Sequence, residues 1–219
     1  MERVKPVLSS RRNLALACSL SALAGYVDGI GFLHLGGLFV SFMSGNSTQF
    51  GVNLAQGRWQ SAMQALSLIG LFVAGTAAGS LIAHSRLRYP QSRVLLIEAL
   101  LLACAALGYH MGFATFAIGP MVLAMGLENA IFQVRGGPGL GLTYVTGALD
   151  KVGQLIAAAL TGGPRWAWLP NLLLWAALVA GAVCGGHAYL AINLSAVWIA
   201  AAVALTLSAV VFATAKQRD

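Results

Sequence analysis

Apolar runs follow one another along nearly the whole of this chain, and they restrict the fold before any motif is considered. Short breakers divide the 219 residues into segments at roughly 13–35, 38–57, 60–84, 92–109, 112–134, 140–161, 166–189 and 193–214. About 20 apolar residues in a helix suffice to cross a bilayer core of about 30 Å. Most of the segments are apolar all the way round, as helices solvated by lipid or by each other are. Charged residues make up only 9% of the chain and hydrophobic ones 58%, whereas a soluble domain carries about 25% charge. The expected fold class is therefore an all-α integral membrane protein, a single membrane domain over residues 1–219 whose principal partner is the lipid bilayer.

The net charge of +7 does not point to nucleic acid. The basic residues fall in short clusters between apolar runs: Arg3, Lys5, Arg11 and Arg12; then Arg86, Arg88 and Arg93; then Lys216 and Arg218. That is how cytoplasmic loops are marked. The N-terminal region has a basic start followed by apolar residues. Hydrophobicity continues past Gly25 to Val40 with no small-residue cleavage site to end it, so an uncleaved first span is expected. Cys18, Cys104 and Cys184 sit far apart inside apolar runs and read as small hydrophobes. His34, His84, His110 and His187 lie near segment ends without metal-ligand spacing. No metal and no cofactor are expected.

An internal repeat organises the rest. In the alignment of Gly25–Gly51 with Gly126–Gly153, Asp28 falls on Glu128 and Gly36-Gly37 on Gly136-Gly137. After a two-residue insertion, Ser41 falls on Thr143 and Ser44-Gly45 on Thr146-Gly147. Further on, Gly75 and Gly79 match Gly181 and Gly185; for these, helix packing is the favoured reading. Repeat 1 covers about 13–110 and repeat 2 about 112–214.

Charge decides how the repeats are oriented. If all eight segments cross, Arg86, Arg88, Arg93 and Arg135 lie outside. If 38–57 and 140–161 do not complete a crossing, Arg58 alone is outside. The second arrangement obeys the positive-inside rule far better. It predicts about six transmembrane helices in two inverted repeats, each with an extra broken or re-entrant polar segment, and both termini cytoplasmic. Eight spans with parallel repeats is the alternative. Broken segments of this kind surround the midplane sites of many transporters, which would explain the hydrogen-bonding run Ser41–Gly51 in so apolar a chain.

The combination of Gly25-Tyr26-Val27-Asp28, Ser44-Gly45-Asn46 and Tyr144-Val145-Thr146-Gly147 resembles the bacterial YoaK family of small membrane proteins, over about Leu14 to Ala213. The resemblance implies a multi-pass protein of the bacterial inner membrane and supplies no substrate, cofactor or catalytic set. Asp150-Lys151 departs from the family pattern, so no family role is carried onto those residues.

Acids inside apolar segments are costly, roughly 2.5–3.5 kcal/mol at a bilayer centre, and tend to face a pathway or a partner. Asp28 and Glu128 stand at equivalent repeat positions and are the first candidates, because two carboxylates brought together share a proton or a cation. The structural alternative is a pair satisfied by Arg135, Asn129 or helix ends. Ser44, Gly45, Asn46, Thr48, Thr146 and Gly147 are the expected site lining, with tight packing of small residues between helices as the alternative, and Asp150 is a further pathway candidate. Glu98, about one turn from Arg93, reads as a local i,i+5 contact or an interface position. The expected function is a small solute or ion permease or channel, and not an enzyme, with a homo-oligomer compatible with its size. The alternatives are a non-transporting accessory or scaffold protein, or an intramembrane serine hydrolase built on Ser44 and His187.

Overall fold

The computed structural model describes residues 10–85, 88–132 and 145–217. Arg3, Lys5, Arg86, Arg135, the Gly136–Gly141 connection, Thr143, Tyr144 and Arg218 lie outside them. Among the described residues every regular element is helical: α1 (Arg11–His34), α2 (Met43–Ala55), α3 (Trp59–His84), α4 (Pro90–His110), α5 (Ala114–Glu128), α6 (Val145–Leu160), α7 (Leu169–Ile192) and α8 (Val197–Lys216). Four stretches are long and apolar enough to cross a membrane: α1, α3, α4 and Leu169–Lys216. A 3₁₀ turn at Asn193–Ala196 divides the last of these into α7 and α8. The chain is thus a multi-pass all-α membrane protein. The 13 residues of α2 reach only about 20 Å, the 15 of α5 about 22 Å and the 16 described residues of α6 about 24 Å, each less than a bilayer core; of the three, α5 is the apolar one.

The segment expected at 38–57 is helical only from Met43. Gly36 and Gly37 take φ of +65° and +112°, values that glycine adopts freely and other residues do not. They end α1, with the Gly37 N–H returning to the Phe32 carbonyl at 3.0 Å. A non-helical stretch from Leu38 to Phe42 then leads into α2.

Small residues allow the helices to close on one another, as expected for the glycine pairs. A methyl group on Gly181 would stand 1.9 Å from the Ala22 carbonyl oxygen, and one on Gly185 2.0 Å from that of Tyr26. On α3, the same addition at Gly75 and Gly79 would meet the carbonyl oxygens of Leu123 and Leu127 at 2.3 and 2.7 Å. Backbone lies against backbone in both pairs, so α1 and α7, and likewise α3 and α5, pack too closely for any side chain at these positions. Ser21 on α1 donates to the Leu174 carbonyl of α7 (3.0 Å), and Thr76 on α3 to the Gly126 carbonyl of α5 (3.0 Å).

The order of these contacts gives the helix directions. Ser21 meets Leu174, Tyr26 meets Gly185 and His34 meets Tyr189, so α1 and α7 run parallel. Gly75 against Leu123 and Gly79 against Leu127 make α3 and α5 parallel too. In contrast, α4 and α8 run antiparallel: the Tyr89 and Phe212 rings lie 5.2 Å apart, and Ser92 and Ser208 each donate to the other's carbonyl, at 3.0 and 2.8 Å. Arg12 at the start of α1 bonds Thr214 near the end of α8. Gln91 at the start of α4 donates to the Ile131 carbonyl just beyond α5, at 2.9 Å. One end of the bundle therefore gathers Arg11, Arg12, Arg88, Arg93, Arg165 and Lys216, and Arg58 lies at the other. Between the ends, Val27, Ile30, Leu102, Met121, Met125 and Ala200 form a continuous apolar core.

Candidate functional site

Non-helical backbone in an apolar surrounding must find its hydrogen bonds within the protein. The stretch Leu38–Phe42 does so through two buried side chains. Asp28, on α1, accepts the Val40 N–H at 2.8 Å and the Ser41 N–H at 2.7 Å on one carboxylate oxygen, and the Ser41 hydroxyl at 2.5 Å on the other. Asn46, on α2, accepts the Phe39 N–H at 2.9 Å and donates to the Phe39 carbonyl at 2.7 Å. Gly45 leaves room for aromatic rings: a methyl group there would lie 2.7 Å from Phe42. Asp28, Ser41, Gly45 and Asn46 thus stitch the connection to its two helices.

The other members of the expected lining face outward. Ser44 and Thr48 are exposed on α2, where the Thr48 hydroxyl donates to the Ser44 carbonyl of its own helix at 3.2 Å. Thr146, Gly147 and Asp150 are exposed on α6, which packs on α7. Asp150 accepts from Gln154 one turn on, at 2.9 Å, rather than from its neighbour Lys151. Ser44 and His187 share no hydrogen bond among the described residues; the His187 ring instead bonds the Val183 carbonyl at 2.9 Å.

Glu128 ends α5 fully buried, and both of its carboxyl oxygens have no hydrogen-bond partner among the described residues. Glu98 on α4 is in the same state. Glu128 lies within electrostatic reach of Glu98 first and of Asp28 second. Leu95 and Leu102, about one turn to either side of Glu98 on α4, and Met125 and Leu127, just before Glu128 on α5, are all buried. Asn129 turns its amide to the Met125 carbonyl at 3.0 Å. Sequence reasoning passed over Glu98 because Arg93 stands close by in the chain. Five residues along a helix turn the side chain about 140° away, and Arg93 is indeed exposed while Glu98 is buried. The usable signal was the acid itself, isolated in the run "VLLIEALLL".

Two buried carboxyl groups without donors are complete only with something positive between or upon them. Among the described residues no three His, Cys, Asp or Glu side chains gather closely enough to hold a metal ion. A proton needs no such cage, since a single carboxyl oxygen holds it.

A family model described as a protein of unknown function (DUF1275) matches residues 16–210. The chain is also similar to the UPF0700 transmembrane protein RA0705 of Rhizobium meliloti (strain 1021), 38% identical over 216 residues, which cover 97% of this chain and 93% of that protein. No solved structure matches it.

Proposed function

The chain belongs to the DUF1275 family of proteins of unknown function, and from that premise we propose that it is a small permease of the bacterial inner membrane whose moving ion is the proton. The frame is six crossings in two inverted repeats, about 13–110 and 112–214, with α2 and α6 as the incomplete segments and both termini cytoplasmic. Exchanging α1–α4 with α5–α8 carries the α1–α7 contact onto α5–α3 and the α2–α3 contact onto α6–α7, which supports a repeat. The antiparallel course of α4 and α8 favours six crossings, because eight consecutive crossings make those two helices parallel. Gathering six basic residues at one end, with Arg58 at the other, supports a cytoplasmic assignment for the crowded end. The orientation is checked with Tyr89→Cys in a chain lacking Cys18, Cys104 and Cys184. An impermeant thiol reagent is expected to label it only after lysis; labelling on intact cells rejects the frame.

The observation that carries the permease reading is the buried Glu98–Glu128 pair, which makes no hydrogen bond among the described residues. Acids kept inside a membrane against their insertion cost mark ion or proton routes in pumps and transporters. Glu98 lies roughly 12 Å along α4 from Pro90, deep in the span. No nucleophile enters this scheme, and the protein is not an enzyme in it. Reconstituted into vesicles with a trapped pH dye, the chain is expected to take up protons from an acid pulse well above protein-free vesicles. The double variant Glu98→Gln/Glu128→Gln is expected to return the rate to that background. Unchanged uptake in a folded double variant overturns the reading.

A further inference from the structure

The end of the bundle remote from the basic cluster carries a polar pocket of about 230 Å³ between the end of α1, the end of α2 and the start of α3. Gln49, Asn53, Arg58, Ser61 and Gln64 line it. Its features converge on one charge type. Asn53 is only 6% exposed, and it lines the pocket without a side-chain hydrogen bond among the described residues, so that its amide is open to a ligand there. Arg58 is exposed and makes no ion pair among the described residues. It also stands at the N-cap of α3, where no side chain caps the helix and no acid occupies the first turn. The first N–H of α3, that of Trp59, is given to the Gly57 carbonyl at 3.1 Å, and the start of this 26-residue helix places the positive end of its dipole beside the pocket that holds Arg58 and Ser61.

We infer that this pocket binds a small organic carboxylate. The guanidinium takes the two carboxylate oxygens in its fork, the Ser61 hydroxyl completes the anion's shell, and the amides of Gln49, Asn53 and Gln64 supply donors and acceptors for a hydroxyl, amino or carbonyl group on the remainder. One cation suits one negative charge better than a doubly charged oxyanion. The volume equals about seven or eight waters at ~30 Å³ each, room for an acid of three or four carbons. The inference rests on the permease reading only for its meaning, in that it names the solute class that reaches the bundle from the end opposite the basic cluster.

The test is binding by the purified full-length protein in detergent, read as the thermal midpoint against lactate, with lactamide as the uncharged isostere and inorganic phosphate as the competing anion. Lactate is expected to raise the midpoint saturably and lactamide to leave it unmoved. Arg58→Gln is expected to weaken lactate binding about tenfold or more, and Arg58→Lys to retain part of it. Ser61→Asp puts a negative charge where the carboxylate sits while suiting the start of α3, so a folded protein that no longer binds lactate is expected. A response to lactamide equal to that to lactate, binding undiminished in Arg58→Gln or Ser61→Asp, a response to phosphate alone, or none to any anion overturns the inference. Glu98→Gln/Glu128→Gln is expected to bind lactate as the unaltered chain does. Lost binding with proton uptake intact therefore removes the pocket alone, and lost uptake with binding intact removes the permease reading alone.

Discussion

Asp28→Ala is expected to leave little folded protein, while Asp28→Asn is expected to survive. The alanine strands the Val40 N–H, the Ser41 N–H and the Ser41 hydroxyl, all of which now donate to one carboxylate. Each buried donor left unpaired costs about 1–3 kcal/mol, so the total is about 4 kcal/mol or more, a large share of the 5–15 kcal/mol that holds an ordinary domain together. Asparagine keeps an oxygen for the two N–H groups and an amide for the Ser41 oxygen, and costs about 1 kcal/mol. The check is the yield of monodisperse protein in mild detergent and its midpoint of unfolding. An alanine variant as stable as the parent would show that the Leu38–Phe42 stretch does not depend on Asp28.

The opposite sign is expected at the two glutamates. Glu98→Leu and Glu128→Leu remove carboxyl groups that make no hydrogen bond among the described residues and put apolar atoms of similar volume at these buried positions. Replacing buried charged groups by well-packed apolar ones is often neutral or stabilising, by about 1–4 kcal/mol. Each single variant is expected to unfold at a higher temperature than the parent, and both together higher still, while proton uptake falls to background. That combination, a gain in stability with a loss of activity, separates a group retained for function from one retained for structure. Destabilised glutamate variants would place the pair among the supports of the fold beside Asp28.

The contrast between these acids shows what could be read from the residues alone. The apolar runs gave the helices nearly to their ends, because periodicity and breakers are local properties. The glycine pairs at Gly75, Gly79, Gly181 and Gly185 were readable as packing positions for the same reason. The non-helical start of the 38–57 segment was not, since Leu38–Phe42 is apolar enough to pass for helix and is held open by Asp28, a residue of another element. Glu98 was discounted on the strength of a sequence neighbour, whereas its surroundings come from α5. Ser44, Thr48 and Thr146 were grouped by chemistry into one lining, but which side of a short helix faces outward is decided by its partner, α3 for α2 and α7 for α6. Local patterns say what a segment is; only packing says what it faces.

The pressed backbones of α1 with α7 and of α3 with α5 also dictate the order of assembly. Ala22 cannot meet Gly181 until the ribosome has delivered almost the entire polypeptide, so the first helix waits in the bilayer, its glycine face bare, through most of synthesis. Contacts this distant in sequence form late and slowly. A nascent chain arrested after α6 has no way to bury that face against its own partner, and it is in that state, rather than after completion, that the protein is most open to mispairing and to membrane proteases.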